Sequence, residues 1–111
     1  MTTQALQDHI LFQTGYLVNG IWKTLDTTFD VLNPATGEVI AKVAKAGKAQ
    51  TEEAIAAATK AFPAWRAKTA KERSAILYRW YELIIENKSW LGQLMTTEQG
   101  KPPVSYTHLT L

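Results

Sequence analysis

The side chains able to move a proton or hold an anion are few in this sequence, and they stand apart. His9 and His108 are isolated near opposite ends, with no acid or nucleophile spaced to work with either. Arg66, Arg73 and Arg79 could clamp an anionic ligand, yet each reads as the partner of a nearby acid or the cap of a helix carbonyl, since paired charges are usually structural. Glu52 and Glu53 sit where acids favour the start of a helix. No cysteine occurs among the 111 residues, which removes a thiolate nucleophile, a thiolate metal site and a disulfide framework together. There is no G-x-G-x-x-G loop and no Walker loop to cradle a phosphate. Nothing divides into nucleophile, base and oxyanion donor. No residue is therefore assigned a catalytic, cofactor-binding or metal-ligating role.

Charge and hydropathy narrow the partners. Twelve Lys and Arg against ten Asp and Glu leave a formal charge of +2, scattered along the chain. Duplex binding calls for a concentrated basic face, so nucleic acid is not expected. No apolar run approaches the roughly 18–20 residues of a membrane span. The first basic residue is Lys23, which argues against a secretory or transit leader and makes a cytoplasmic protein the default.

The elements that would position any site follow from local chemistry. Residues 1–14 read as a short helix or a loosely held arm. In YLVNGIWK (Tyr16 to Lys23), apolar residues flank Asn19-Gly20, the strongest short signal for a hairpin turn. A second strand, loop and strand is expected around Asn33-Pro34-Ala35-Thr36-Gly37, where Asn-Pro opens a turn and Gly37 supplies a positive φ. From Gln50 the apolar period lengthens from two to about three and a half. QTEEAIAAATKAF predicts three helical turns that Pro63 stops or bends near Phe62. Thr69 and Glu72 stand at capping-box spacing before a helix to about Asn87, with Ile76, Leu77, Trp80, Leu83 and Ile84 on one face. Ser89 is the expected cap of a third helix, with Trp90, Leu91, Leu94 and Met95 inward and Gly100 as its left-handed stop. The fragment thus reads as α+β, antiparallel hairpins followed by three amphipathic helices.

Four pieces carry a resemblance: YLVNGIWK, DVLNPATGEVIAKVAKAG, AFPAWRAKTAKERSAIL and LMTTEQGKP. In this order and spacing they resemble the amino-terminal segment of the aldehyde dehydrogenase superfamily, from about Gln13 to Pro102. PAWRAKTAKERSAILYRWYELI with LMTTEQGKP is most similar to the succinate-semialdehyde branch, which also takes glutarate semialdehyde. The resemblance implies an α/β parent enzyme and an oligomer, which oxidises a small-molecule aldehyde to an acid with NAD or NADP. It also implies that residues 15–103 are an incomplete part of the NAD(P)-binding domain. The family's cysteine, glutamate and asparagine lie beyond the matched region, so none of their roles passes to a residue of this chain.

The last residues depart from that pattern. Val104 to Leu111 can be encoded by read-through into the transposase adapter of sequencing libraries, and a Leu codon interrupted at its first base then gives Pro103. On this expectation 104–111 is a non-native tail to be excluded from fold reasoning, with Tyr106 and His108 in it. Two functions are then open. One is an N-terminal scaffold fragment of a semialdehyde dehydrogenase, inactive alone. The alternative is a free-standing α+β module that binds a protein through its uncovered helix faces.

Overall fold

A computed structural model of the chain describes residues 2–102. Its elements run α1 (Thr3–Gln7), β1 (Tyr16–Val18), β2 (Ile21–Lys23), β3 (Thr28–Leu32), β4 (Val39–Ala44), α2 (Lys48–Ala67), α3 (Ala70–Glu86) and α4 (Lys88–Gln99). The strands make two separate antiparallel pairs, β1 with β2 and β3 with β4. This is the expected α+β arrangement.

The turns form for the reasons their residues supply. Asn19 and Gly20 both take positive φ, 54° and 73°, the backbone twist that matches a two-residue hairpin to its strands. Between β3 and β4 the Asn33 carbonyl accepts from the Gly37 amide at 2.7 Å, and its side-chain oxygen accepts from the Ala35 amide at 2.9 Å. Gly37 has φ 75°. A bulge between Val31 and Leu32 shifts the β3–β4 register.

The helices agree with expectation at three ends and differ at three places. Thr69 Oγ1 accepts from the Glu72 amide at 3.1 Å, so α3 is capped as predicted. Gly100 closes α4 in the left-handed region with φ 80°. α3 ends at Glu86, beside the expected boundary. By contrast α2 neither stops nor starts where the sequence suggested. It runs twenty residues through Pro63, because a proline removes a single bond to the carbonyl four residues back, and good helix formers follow it. Its start lies two residues earlier, where the Gly47 amide donates to Gln50 Oε1 at 2.8 Å, so Glu52 and Glu53 fall beyond the first turn. Nor is Ser89 the cap of α4. The helix begins at Lys88, and Asn87 donates its amide back to the Leu83 carbonyl at 2.9 Å, closing α3.

The core is small and sits away from the two long helices. Among the described residues only four apolar side chains are buried: Leu6, Val18, Ile40 and Trp90. They come from α1, β1, β4 and α4. The arm ties into this centre, with Gln7 Nε2 donating to the Ile40 carbonyl at 2.6 Å and the Ala44 amide donating to the Thr14 carbonyl at 2.8 Å. Neither α2 nor α3 contributes a buried residue. Ile76, Leu77, Trp80 and Leu83, expected to share a face, all lie exposed.

Candidate functional site

Long-range polar contacts are the first place to seek chemistry. Lys23, at the end of β2, donates to Glu53 Oε1 on α2, and Tyr16 Oη lies 3.5 Å from Glu53 Oε2. The hydrogen bond to Glu53 holds the Lys23 ammonium above the usual lysine range, partial desolvation opposing it and the charge of Glu53 adding to it. Glu53, expected to serve a helix start, instead ties the first hairpin to α2. With both side chains more than a third exposed, this is a tether.

The sign of its pH dependence follows from that shift. A lysine raised in the folded state lends stability fully below its ordinary value, near 10.4, and loses it as pH climbs through the raised value. Fluorescence of Trp22, in a background with the other tryptophans replaced by phenylalanine, should therefore show a loosening step above about pH 10.4. Glu53→Gln should remove that step. An identical alkaline titration in both proteins would contradict the tether.

The three arginines weighed against an anion-clamping role do not converge. Arg79 lies 3.5 Å from both Glu82 and Glu86 on its own helix. Arg66 stacks over the Phe62 ring at 5.6 Å. Arg73 differs from expectation, since its Nε is buried without a hydrogen-bond partner among the described residues. His9 is stacked on Trp90 at 4.1 Å between ring centroids, and its Nδ1 accepts from the Leu11 amide at 3.1 Å. A contact across 81 positions leaves no local signal. His108 and Tyr106 lie outside the described residues.

The clefts are equally poor in reactive groups. A cavity of about 300 Å3 between the arm, the second hairpin and α4 is lined by Leu11, Phe12, Trp22, Val31 and Leu94, with Glu98 as its one charged residue. No group of three His, Cys, Asp or Glu residues could hold a metal among the described residues. The pyrophosphate of a dinucleotide normally rests at a Gly-rich turn beyond the carboxyl ends of parallel strands; the described residues form two antiparallel pairs. The Gly47 amide before α2 is already taken by Gln50.

What the structure does offer is surface. At about 100° per residue along α3, Ile76, Trp80 and Leu83 lie on one side, Tyr78, Tyr81 and Ile85 on the opposite side, and Leu77 between them. Arg79, Glu82 and Glu86 fill the remaining stripe. A helix apolar over most of its circumference belongs in the interior of a larger fold. Trp80 is 63% exposed and Tyr78 62%, so neither side is covered here.

The architecture has a counterpart among known proteins. The profile of the Aldehyde dehydrogenase family matches residues 22–108. The chain belongs to this family. It is 60% identical over 99 residues to the glutarate-semialdehyde dehydrogenase of Pseudomonas putida KT2440, covering 87% of this chain and 21% of that protein. It is 48% identical over 99 residues to the NADP(+) succinate-semialdehyde dehydrogenase of Escherichia coli K12, covering 87% and 20%. Among solved aldehyde dehydrogenases, one from Brucella melitensis superposes with a TM-score of 0.89 at 45% identity over 96% of this chain and 23% of its own. The succinate-semialdehyde dehydrogenase of Burkholderia pseudomallei superposes with 0.81 at 48% identity, over 86% and 20%. The chain spans about a fifth of the length of the curated relatives it matches. No helix among the described residues is long and apolar enough to cross a membrane.

Proposed function

We propose that this chain is the amino-terminal scaffold of an NAD(P)-dependent semialdehyde dehydrogenase, an oxidoreductase taking succinate or glutarate semialdehyde to the dicarboxylic acid in the cytoplasm. Residues 15–103 form part of its cofactor domain and 1–14 an arm. The enzyme works as a homo-oligomer, binding neither nucleic acid nor membrane. Residues 104–111, outside the described residues, are read as a non-native tail. The identity to glutarate- and succinate-semialdehyde dehydrogenases supports the substrate class.

One observation carries the scaffold reading: a chain matching these enzymes at up to 60% identity contains no thiol. Oxidation of an aldehyde through a covalent enzyme intermediate needs a nucleophile that an adjacent group activates. None of the candidates here has such a neighbour. What the chain supplies is a framework of hairpins and helices for a larger sheet that the described residues do not form.

The test is direct. Incubated with succinate or glutarate semialdehyde and either nicotinamide cofactor, the purified chain should give no reduced cofactor above the blank. Turnover that follows the chain through two unrelated purification steps would overturn the reading.

A further inference from the structure

The uncovered face of α3 points to a partner, and its size and shape say which kind. We infer that this chain, as a separate polypeptide, docks through α3 onto the remaining four-fifths of an aldehyde dehydrogenase and completes it without a peptide link. The inference rests on the scaffold reading and goes beyond it, because a scaffold segment need not work in trans.

Three observations lead there. Seven large apolar side chains of α3 are each at least 40% exposed, and exposed apolar surface of this kind marks an interface. It is not one stripe. Ile76, Trp80 and Leu83 face one way and Tyr78, Tyr81 and Ile85 the other, so a single docked helix or strand leaves half of them in water. A partner that wraps α3 on two sides is required, as a layered domain does.

The second observation is that the chain's own elements are set locally. The Asn19-Gly20 turn, the Thr69 cap and the Gly100 stop each act within a few residues. The resulting arrangement superposes at TM-scores of 0.81 to 0.89 on segments held inside full-length chains. The turns and caps are then formed before binding, and docking has to fix only the packing of the helices.

The third is the position of the polar stripe. Arg79, Glu82 and Glu86 pair among themselves, so docking along the middle and last turns of α3 need not bury an unpaired charge. A covalent link adds effective concentration, of order millimolar for a short flexible tether. A face this large does not depend on it.

The experiment uses the intact 111-residue chain, tagged and co-expressed with the Pseudomonas putida glutarate-semialdehyde dehydrogenase from which the matching 99-residue segment has been deleted. Expected is a soluble one-to-one complex with glutarate-semialdehyde-dependent reduction of the cofactor, while the deleted enzyme alone is inactive. Trp80→Lys with Leu83→Glu should lower the recovered activity at least about tenfold, since docking would bury unpaired charge. Arg79→Ala should leave it within about twofold, as an exposed ion pair contributes little.

A fusion of the same two pieces in one polypeptide separates the two ideas. An active fusion with an inactive co-expressed pair overturns docking in trans and leaves the scaffold reading standing. Inactivity of both forms overturns the two together. Activity of the pair that ignores the α3 substitutions overturns the assignment of the surface.

Discussion

Gly15→Ala should dismantle the first hairpin. A Cβ added at Gly15 would stand 2.1 Å from the Lys23 carbonyl oxygen, below the 3.0 Å that real Cβ atoms respect. The obstacle is backbone, so no rotamer change relieves it. Relief requires β1 and β2 to part, yet Tyr16 pairs with Lys23 and Leu17 with Trp22 in a fixed register. Upstream, the Thr14 carbonyl is held by the Ala44 amide, so the segment cannot retreat that way. Forced overpacking usually costs about 1–3 kcal/mol, and this case belongs at the upper end. Losing the register also displaces Lys23 from Glu53, so the hairpin comes off α2. Amide exchange over residues 14–24 should approach that of unfolded peptide, while α3 is unchanged. Gly92→Ala is the control of opposite sign. Nothing lies within 4 Å of its added Cβ, and within a helix alanine is favoured by about 0.8–1 kcal/mol. Equal protection of the hairpin in Gly15→Ala and in the parent would refute the prediction.

Alone in solution, the chain should keep its helices without a fixed interior. Four buried apolar residues among those described are too few to hold two long helices in place, and a domain of this length is marginal even when compact. The caps and turns are local and should survive, whereas the packing of α2 and α3 awaits a partner. Far-ultraviolet dichroism should therefore show helix, near-ultraviolet dichroism should be weak, and an apolar dye should bind. Heating should give a broad transition, or aggregation through the uncovered faces. Trp80→Lys with Leu83→Glu should lower dye binding severalfold and raise solubility, because both side chains are exposed. A sharp cooperative melt of a monomer that binds no dye would contradict this and favour the free-standing interaction module.

The same contrast between local and distant forces explains what could be read in advance. Asn19-Gly20, Gly37 and Gly100 announce positive φ by residue type, and all adopt it. Thr69 with Glu72 announces a cap, and the bond forms. Each of these acts within about four residues, where a side chain meets its partner whatever the rest of the chain does. The order of such signals also carries the family resemblance, and the missing thiol excludes the covalent chemistry.

The rest was decided by competition between local preferences and by tertiary structure. Pro63 could have ended α2 and did not, because losing one backbone bond is outweighed by the helix formers on both sides. Asn87 turned back to close α3, which moved the start of α4 off Ser89. Lys23 reached Glu53 across 30 positions and His9 reached Trp90, contacts that depend on where whole elements come to rest. Periodicity grouped Ile76, Leu77, Trp80 and Leu83 on one face, whereas apolar side chains run most of the way round α3, and all four are exposed while Leu6, Val18, Ile40 and Trp90 make the core of the described residues. A hydrophobic pattern states which residues need cover. Only the packed molecule, with Trp90 buried and Trp80 bare, distinguishes cover supplied within this chain from cover that must come from another surface.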